Sequence, residues 1–237
     1  CYYESIDKKV KNKLDNVIVA GFDRSFLGHE RENLTNEDII ICDLISKQLG
    51  QQVDFYKSHH HLYHAYSGYY HSSFDEALVI VLDGFGAQLV DDGDFVRETE
   101  SVYHVCDGHF KRVYKGYYKT PHHHFNTDMF LHRMLDYSGD DTDVGLGTKF
   151  EQVSNQCGFG QWGAGKVMGL APYNHVADKE IENWMIQKCK WIQEECEDHA
   201  IRLIHKYSSR SKNIVISGGY ALNCVANTRF KHTFPNH

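Results

Sequence analysis

The chain has 237 residues, a formal net charge of −7, 41% hydrophobic and 24% charged residues. Its length suits one large domain or two modest ones at about 150 residues each. The acidic balance offers no basic stripe to displace counterions, so nucleic acid is not expected as a general partner, although a small anionic ligand is allowed. No apolar run approaches the ~20 residues of a membrane span, and no charged start followed by an apolar run reads as a signal peptide. Seven cysteines without a CxxC pair fit a reducing compartment, and the cytoplasm is the expected location.

In chain order, Asn16 to Ala20 (NVIVA) is short, apolar and β-branched and predicts a strand. Thr35 at an N-cap, acidic residues after it and an apolar face of Ile39, Ile40, Leu44 and Ile45 predict a helix that ends at Gly50. Val53 to Tyr56 is a second short strand. His61 to about Tyr70 reads as a helix weakened by Gly68 and its aromatic residues. Ala77 to Leu82 (ALVIVL) is a continuous apolar run and therefore a strand covered on both faces.

Asp91-Asp92-Gly93-Asp94 and Asp107-Gly108 then lie between alternating segments and predict the turns of antiparallel hairpins. Pro121 to Asp143, rich in His, Asp and Asn, gives no periodic signal, and His122 to His124 read as loop. Leu146 to about Cys157 predicts a helix. Gly158 to Tyr173 contains five glycines and predicts a long shaped loop. Ala177 to Lys206 predicts a long amphipathic helix, broken at most once. Asn213 to Ser217 (NIVIS) is a buried strand, followed by Gly218-Gly219 and a helix from Ala221.

Two strands thus end in glycine turns, VIVLDGFG and IVISGGYALN. Glycine at the carboxyl end of a buried strand lets backbone N–H groups approach a phosphate or ribose. Lys57 to Ala87 adds five histidines in one stretch. On a helix, His60 and His64 lie one turn apart and aim two imidazoles at one point; His61 and His64 at i, i+3 do the same, and spacing does not choose between them. Asp83 at the adjacent strand end offers a third donor. Two imidazoles and a carboxylate suit iron or zinc. The plainer reading sits beside it: the chain has 17 histidines, a histidine-rich surface loop gives the same count, and Asp83 serves equally as a turn or cap residue. Lys166 in its glycine loop is either a phosphate contact or a solvated lysine.

HHLYHAYSGYYHSSFDEALVIVLDGFG (His60 to Gly86) resembles the HHLAHAASAF…VLTVDGVG signature of the carbamoyltransferase family, which includes the nodulation-factor and antibiotic O-carbamoyltransferases. GKVMGLAPY (Gly165 to Tyr173) is similar to that family's GKVMGLAPYG, and SGGYALNCVANTR (Ser217 to Arg229) to its AGGVALNCVANGR. Tyr63, Tyr66 and Tyr220 stand where the family has small residues.

The resemblance implies an α/β domain of the actin, Hsp70 and sugar-kinase type, incomplete at both ends and related to enzymes of tRNA threonylcarbamoyl-adenosine synthesis. It implies that residues 1–237 are part of the N-terminal domain, with a separate C-terminal domain making carbamoyl-adenylate from carbamoyl phosphate and ATP. It assigns the metal, Fe2+ or another divalent ion, to His60, His64 and Asp83. A fourth ligand, the aspartate of a GDAG-like motif, has no counterpart before His237. With the resemblance, the glycine turns imply nucleotide contacts at Gly84, Gly86, Gly218 and Gly219, with Lys166 and Asn223 beside them. The expected activity is transfer of the carbamoyl group to a hydroxyl of a sugar, aminoglycoside, nucleoside or nucleotide. Expected partners are carbamoyl phosphate, ATP, that acceptor and a second copy of the chain in a homodimer. ATP-dependent phosphotransfer on the same fold and a non-catalytic nucleotide- or metal-binding scaffold are the alternatives.

Overall fold

The computed structural model describes residues 18–20, 36–50, 54–56, 59–84, 86, 88–91, 94–120, 145–175 and 181–237. The chain divides into two compact units, Cys1–His60 and His61–His237. In the first, β1 (Ile18–Ala20) pairs in parallel with β2 (Asp54–Tyr56), Ile18 opposite Asp54, and α1 spans Asn36–Leu49 between them. Gly50, at φ 69°, closes α1 by donating its N–H to the Ser46 carbonyl at 2.9 Å, the left-handed stop that glycine adopts without strain.

The boundary between the units falls after the first residue of α2 (His60–Ser72), whose unbroken helical backbone carries His60 with the second unit. That unit is built on a mixed sheet. β3 (Glu76–Leu82) pairs antiparallel with β5 (Asp94–Cys106) and in parallel with β7 (Ile214–Ser217). β4 (Gln88–Asp91) lies along the first residues of β5, and β6 (His109–Thr120) follows the opposite edge of β5. The β5–β6 turn is Asp107 (φ 50°) and Gly108 (φ 75°), two left-handed residues whose twist matches a two-residue hairpin.

β3 explains its own continuous apolar sequence. Ala77, Val79 and Val81 pack with Ala65 and Tyr69 of α2, while Leu78, Ile80 and Leu82 pack with helices on the other face, and all six are completely buried. Those helices are α3 (Leu146–Gln156), α4 (Ala164–Leu170), α5 (Asn183–Tyr207) and α6 (Cys224–Thr233). Leu146, Phe150 and Val153 of α3, and Cys189, Ile192, Cys196 and Ala200 of α5, recur at helical spacing and form this second core layer. The architecture is mixed α/β, as expected. Gly68, which weakens α2 in sequence, is where the helix comes down on β7: a Cβ there would sit 3.0 Å from Val215 and 3.1 Å from Ser217.

The structure corrects three boundaries. The glycine-rich 158–173 stretch is not wholly loop, because Ala164, Val167, Met168 and Ala171 supply an apolar stripe that folds α4 onto the core. α5 starts at Asn183, after non-helical residues 181–182, and runs unbroken to Tyr207, while Ala177 lies outside the described residues. Ala221 lies in a short 3-10 turn, Gly219–Leu222, and α6 starts at Cys224. Thr35, Asn16, Val17, Val53, Asp92, Gly93 and the 121–143 stretch with His122 to His124 lie outside the described residues. Cys106, Cys157, Cys189, Cys196 and Cys224 are free thiols. Among the described residues no helix is long and apolar enough to cross a membrane.

Candidate metal centre and the adjoining cavity

Three elements converge at the carboxyl ends of β3 and β7. α2 presents His60 and His64 from successive turns, and β3 delivers Asp83 as it leaves the sheet. One donor atom from each of these residues lies within 4.8 Å of the others. His64 Nε2 is 3.3 Å from Asp83 Oδ2. Asp83 is 6% exposed and His60 8%, whereas the His64 side chain is 31% exposed, so the cluster opens to solvent on the His64 side.

The strand end after β7 holds both halves of this set. Ser217 Oγ donates to the His64 carbonyl at 2.8 Å, and Gly219 N–H donates to Asp83 Oδ1 at 2.8 Å. Asp83 therefore has one oxygen committed to the backbone and the other turned toward His64. Outer hydrogen bonds of this kind orient metal ligands. Two ligands at ~2.1 Å from one ion are at most ~4.2 Å apart. The 4.8 Å within which the three donors lie is about 0.6 Å wider than that, so a small rotation of the His side chains would close the set on one ion, and the nitrogen–oxygen chemistry suits a borderline divalent ion.

Gly218 explains how the strands approach so closely. Its φ is 98°, and a Cβ there would run into the Leu82 carbonyl oxygen. On the other side of the Asp83–Gly84 turn lies the start of α3. Gly147 N–H donates to the Asp83 carbonyl at 3.0 Å, Thr148 donates to the Gly84 carbonyl, and Leu146 N–H reaches Glu100 Oε1 at 3.3 Å. The Leu146 and Gly147 bonds use first-turn N–H groups of α3 inside the protein, and Thr148 donates from its side-chain hydroxyl. Burial pushes the Glu100 carboxyl above its ordinary value, opposed by hydrogen bonds from Thr99 and Leu146 and by the Lys149 charge.

A cavity of about 380 Å³ adjoins the turn, lined by Gly84, Gly147, Gly165 and Gly219, by Phe150, Met168 and Tyr220, and by Glu151, Gln161 and Asn223. Trp162 and Leu222 also line it and are 91% and 83% exposed. Burial raises the Glu151 carboxyl, and Gln161 hydrogen-bonds it. Largely apolar walls with a few placed polar groups are the usual composition of a small-molecule site.

Of the residues singled out in sequence, Gly84, Gly219 and Asn223 line this cavity. The Asn223 amide is already engaged: Oδ1 caps α6 by accepting from Ala226 N–H at 3.1 Å, and Nδ2 donates to Gln193 at 2.9 Å. Gly86 packs instead against His61 and Glu98, and Gly218 against β3. Lys166 is exposed on α4, its ammonium 5.6 Å from the Phe159 ring centre. The sequence reading passed over Gly147, Thr148, Glu151, Gln161 and Trp162. The glycines of GLGTKF immediately before an apolar-periodic helix are the signal that marks this stretch as a close backbone approach.

Tyr220, which stands where the resembled family has a small residue, is buried edge-on to Phe150 at 5.5 Å. Among the described residues its hydroxyl has no hydrogen-bond partner, and burial pushes the phenol far above its ordinary range. Tyr220→Phe removes an unsatisfied polar atom, so it is expected to leave stability unchanged or raise it by about 1 kcal/mol in urea denaturation. A loss above that would show that the hydroxyl is bonded in solution.

Compared with protein-family models and with curated proteins, the chain matches none.

Proposed function

We propose that the chain is the donor-handling part of a metal-dependent O-carbamoyltransferase with an actin, Hsp70 and sugar-kinase type of fold. The observation that carries this reading is the convergence of His60, His64 and Asp83 within 4.8 Å, next to a glycine-walled cavity. The three motifs that resemble the carbamoyltransferases meet at this place: α2 and Asp83 from the first, the α4 wall from the second, and Ser217 to Asn223 from the third.

In this reading carbamoyl-adenylate is the donor, formed from carbamoyl phosphate and ATP. Attack by an acceptor hydroxyl forms a new O–C bond to the carbamoyl carbon and breaks its bond to phosphate. AMP leaves with the electron pair, and the hydroxyl proton passes to a base. When bound at His60, His64 and Asp83, the divalent ion, Fe2+ in the first instance, would supply Lewis-acid polarisation and charge neutralisation at the donor. The protein's own share is orientation. The Gly219 N–H holds the Asp83 carboxylate, Ser217 holds the His64 backbone, and the apolar walls shield a flat ring. Glu151 carries no positive charge to attract phosphate, and its carboxyl suits the hydroxyls of a ribose or sugar.

A second reading, a nucleotide- or metal-binding scaffold without catalysis, is favoured by one observation: the Asn223 amide is committed to α6 and Gln193. Incubating the full protein with carbamoyl phosphate, ATP and a panel of sugars, aminoglycosides and nucleosides separates the two. Acceptor-dependent AMP release with a carbamoylated product supports the transferase. Tight iron and AMP binding with no product from any acceptor supports the scaffold.

The cavity makes its own prediction. Trp162 stands at the rim, so AMP is expected to quench intrinsic fluorescence and Trp162→Phe to abolish most of the quenching, with Trp184 and Trp191 left as background. Binding is expected to weaken by about 1–3 kcal/mol in Trp162→Ala if the base stacks on the indole, the range for removing a base–aromatic contact. Unchanged quenching in the variant would place the nucleotide elsewhere.

A further inference from the structure

A second buried polar cluster lies immediately behind the donor set. His61, between the two histidine ligands in sequence, is completely buried and shares a hydrogen bond between Nδ1 and Ser101 Oγ at 2.9 Å. Glu98 Oε2 is 3.8 Å from the same nitrogen, and Glu98 is ion-paired with Lys115 of β6. This arrangement depends on an irregularity in β5. The pairing with β6 shifts register between Glu98 and Ser101, so Glu98 reaches His61 on the α2 face while Glu100 reaches Leu146 on the α3 face.

Lys115 argues against a second cation site here, because an ammonium already neutralises the carboxylate. Nor is the cluster a cheap packing device, since burying an ion pair carries a desolvation penalty that apolar residues would avoid. Its position is more informative. Gly86 N–H donates to the Glu98 carbonyl at 2.8 Å, and a Cβ on Gly86 would come within 2.7 Å of His61 Cδ2. The cluster therefore touches α2 one residue from His60 and touches the chain three residues past Asp83. It grips both carriers of the donor set at once.

We propose that His61, Ser101 and Glu98 are positioning residues that fix the distance between α2 and the Asp83 turn and so set metal affinity without contacting the ion. The inference rests on the metal reading of His60, His64 and Asp83. Metal–ligand distances tolerate only about 0.2 Å of error. A rotation of α2 about its own axis displaces His60 and His64 together relative to Asp83. The Ser101 bond blocks that rotation, and the Glu98–Lys115 pair holds the carboxylate against the imidazole.

The test is a Co2+ titration of the metal-free full protein, reading the visible d–d bands and the dissociation constant, beside far-UV circular dichroism and the metal-free melting temperature. Ser101→Ala, which removes one hydroxyl, is expected to fold, to bind Co2+ about 10- to 100-fold more weakly and to shift the d–d bands. Ser101→Thr, which keeps the hydroxyl, is expected to recover most of the affinity. His61→Asn and Glu98→Gln are expected to weaken binding in the same range, and Ser101→Ala decides the matter if either fails to fold. A lower melting temperature with wild-type affinity and spectrum in Ser101→Ala would make the cluster purely structural and overturn the inference alone. Folded wild-type protein that takes up no Co2+ would overturn the metal reading and this inference together.

Discussion

Replacing His64 by alanine is expected to cut bound iron in anaerobically purified full protein from near one ion per chain to less than about a tenth, and to lower carbamoyl transfer by about a thousandfold. The second figure follows from several kcal/mol of Lewis-acid stabilisation at tenfold per 1.36 kcal/mol. His64 is the most exposed of the three donors, so truncation leaves little cavity and the fold should persist. Asp83→Asn is the sharper variant. It keeps an oxygen to accept the Gly219 N–H but removes the charge that faces His64. Metal loss in Asp83→Asn with an unchanged melting curve would separate ligation from folding. His71→Ala on the same helix is the control, because that ring is exposed and bonded to its own backbone at Ser67. Iron retained in both His64→Ala and Asp83→Asn would remove the centre from these residues.

Gly218→Ala is expected to destabilise the fold by about 3–5 kcal/mol in denaturant unfolding. At φ 98° and ψ 172° the backbone occupies a region that is essentially glycine's alone, worth about 1–3 kcal/mol of strain for any other residue. The added Cβ also meets the Leu82 carbonyl, and overpacking of this kind adds about 1–3 kcal/mol. Gly84→Ala offers the contrast. Nothing lies within 4 Å of a Cβ there, so stability should change by less than about 1 kcal/mol while the methyl projects toward the cavity. Equal losses in the two variants would mean that strand approach is not what Gly218 provides.

These contrasting glycines show where sequence reading reaches its limit. The residue type announces that backbone comes close to something, but not to what. Gly84 and Gly219 do border a cavity. Gly86 and Gly218, read as ligand-facing from the same turns, meet Glu98 and β3 instead. The histidine register was likewise open from spacing: i, i+4 and i, i+3 are both helical neighbours, and the separation appears only when Ser101 is seen to occupy His61.

Other elements were legible because one force dominates them. Burial on both faces makes β3 uniformly apolar, and two left-handed residues announce the β5–β6 turn. α4 was hidden because glycines mask an apolar stripe of ordinary period. Strict alternation would place Glu98 and Glu100 on one face, and the register shift that separates them is a property of the pairing with β6.

The bond from Gly219 to Asp83 spans 136 positions along the chain, and the bond from Ser217 to His64 spans 153. Contacts of such sequence separation form late, because loop closure must precede them. During synthesis α2 and β3 exist well before β7 is made, and a histidine pair on a lone helix offers an ion two donors with no fixed third. On the proposed metal reading, capture of the ion in the native arrangement is therefore expected to follow the docking of β7. An ion that binds only then would add its binding free energy to the folded state alone, so if the proposed centre takes iron, iron supply is expected to govern how much of the newly made chain stays folded.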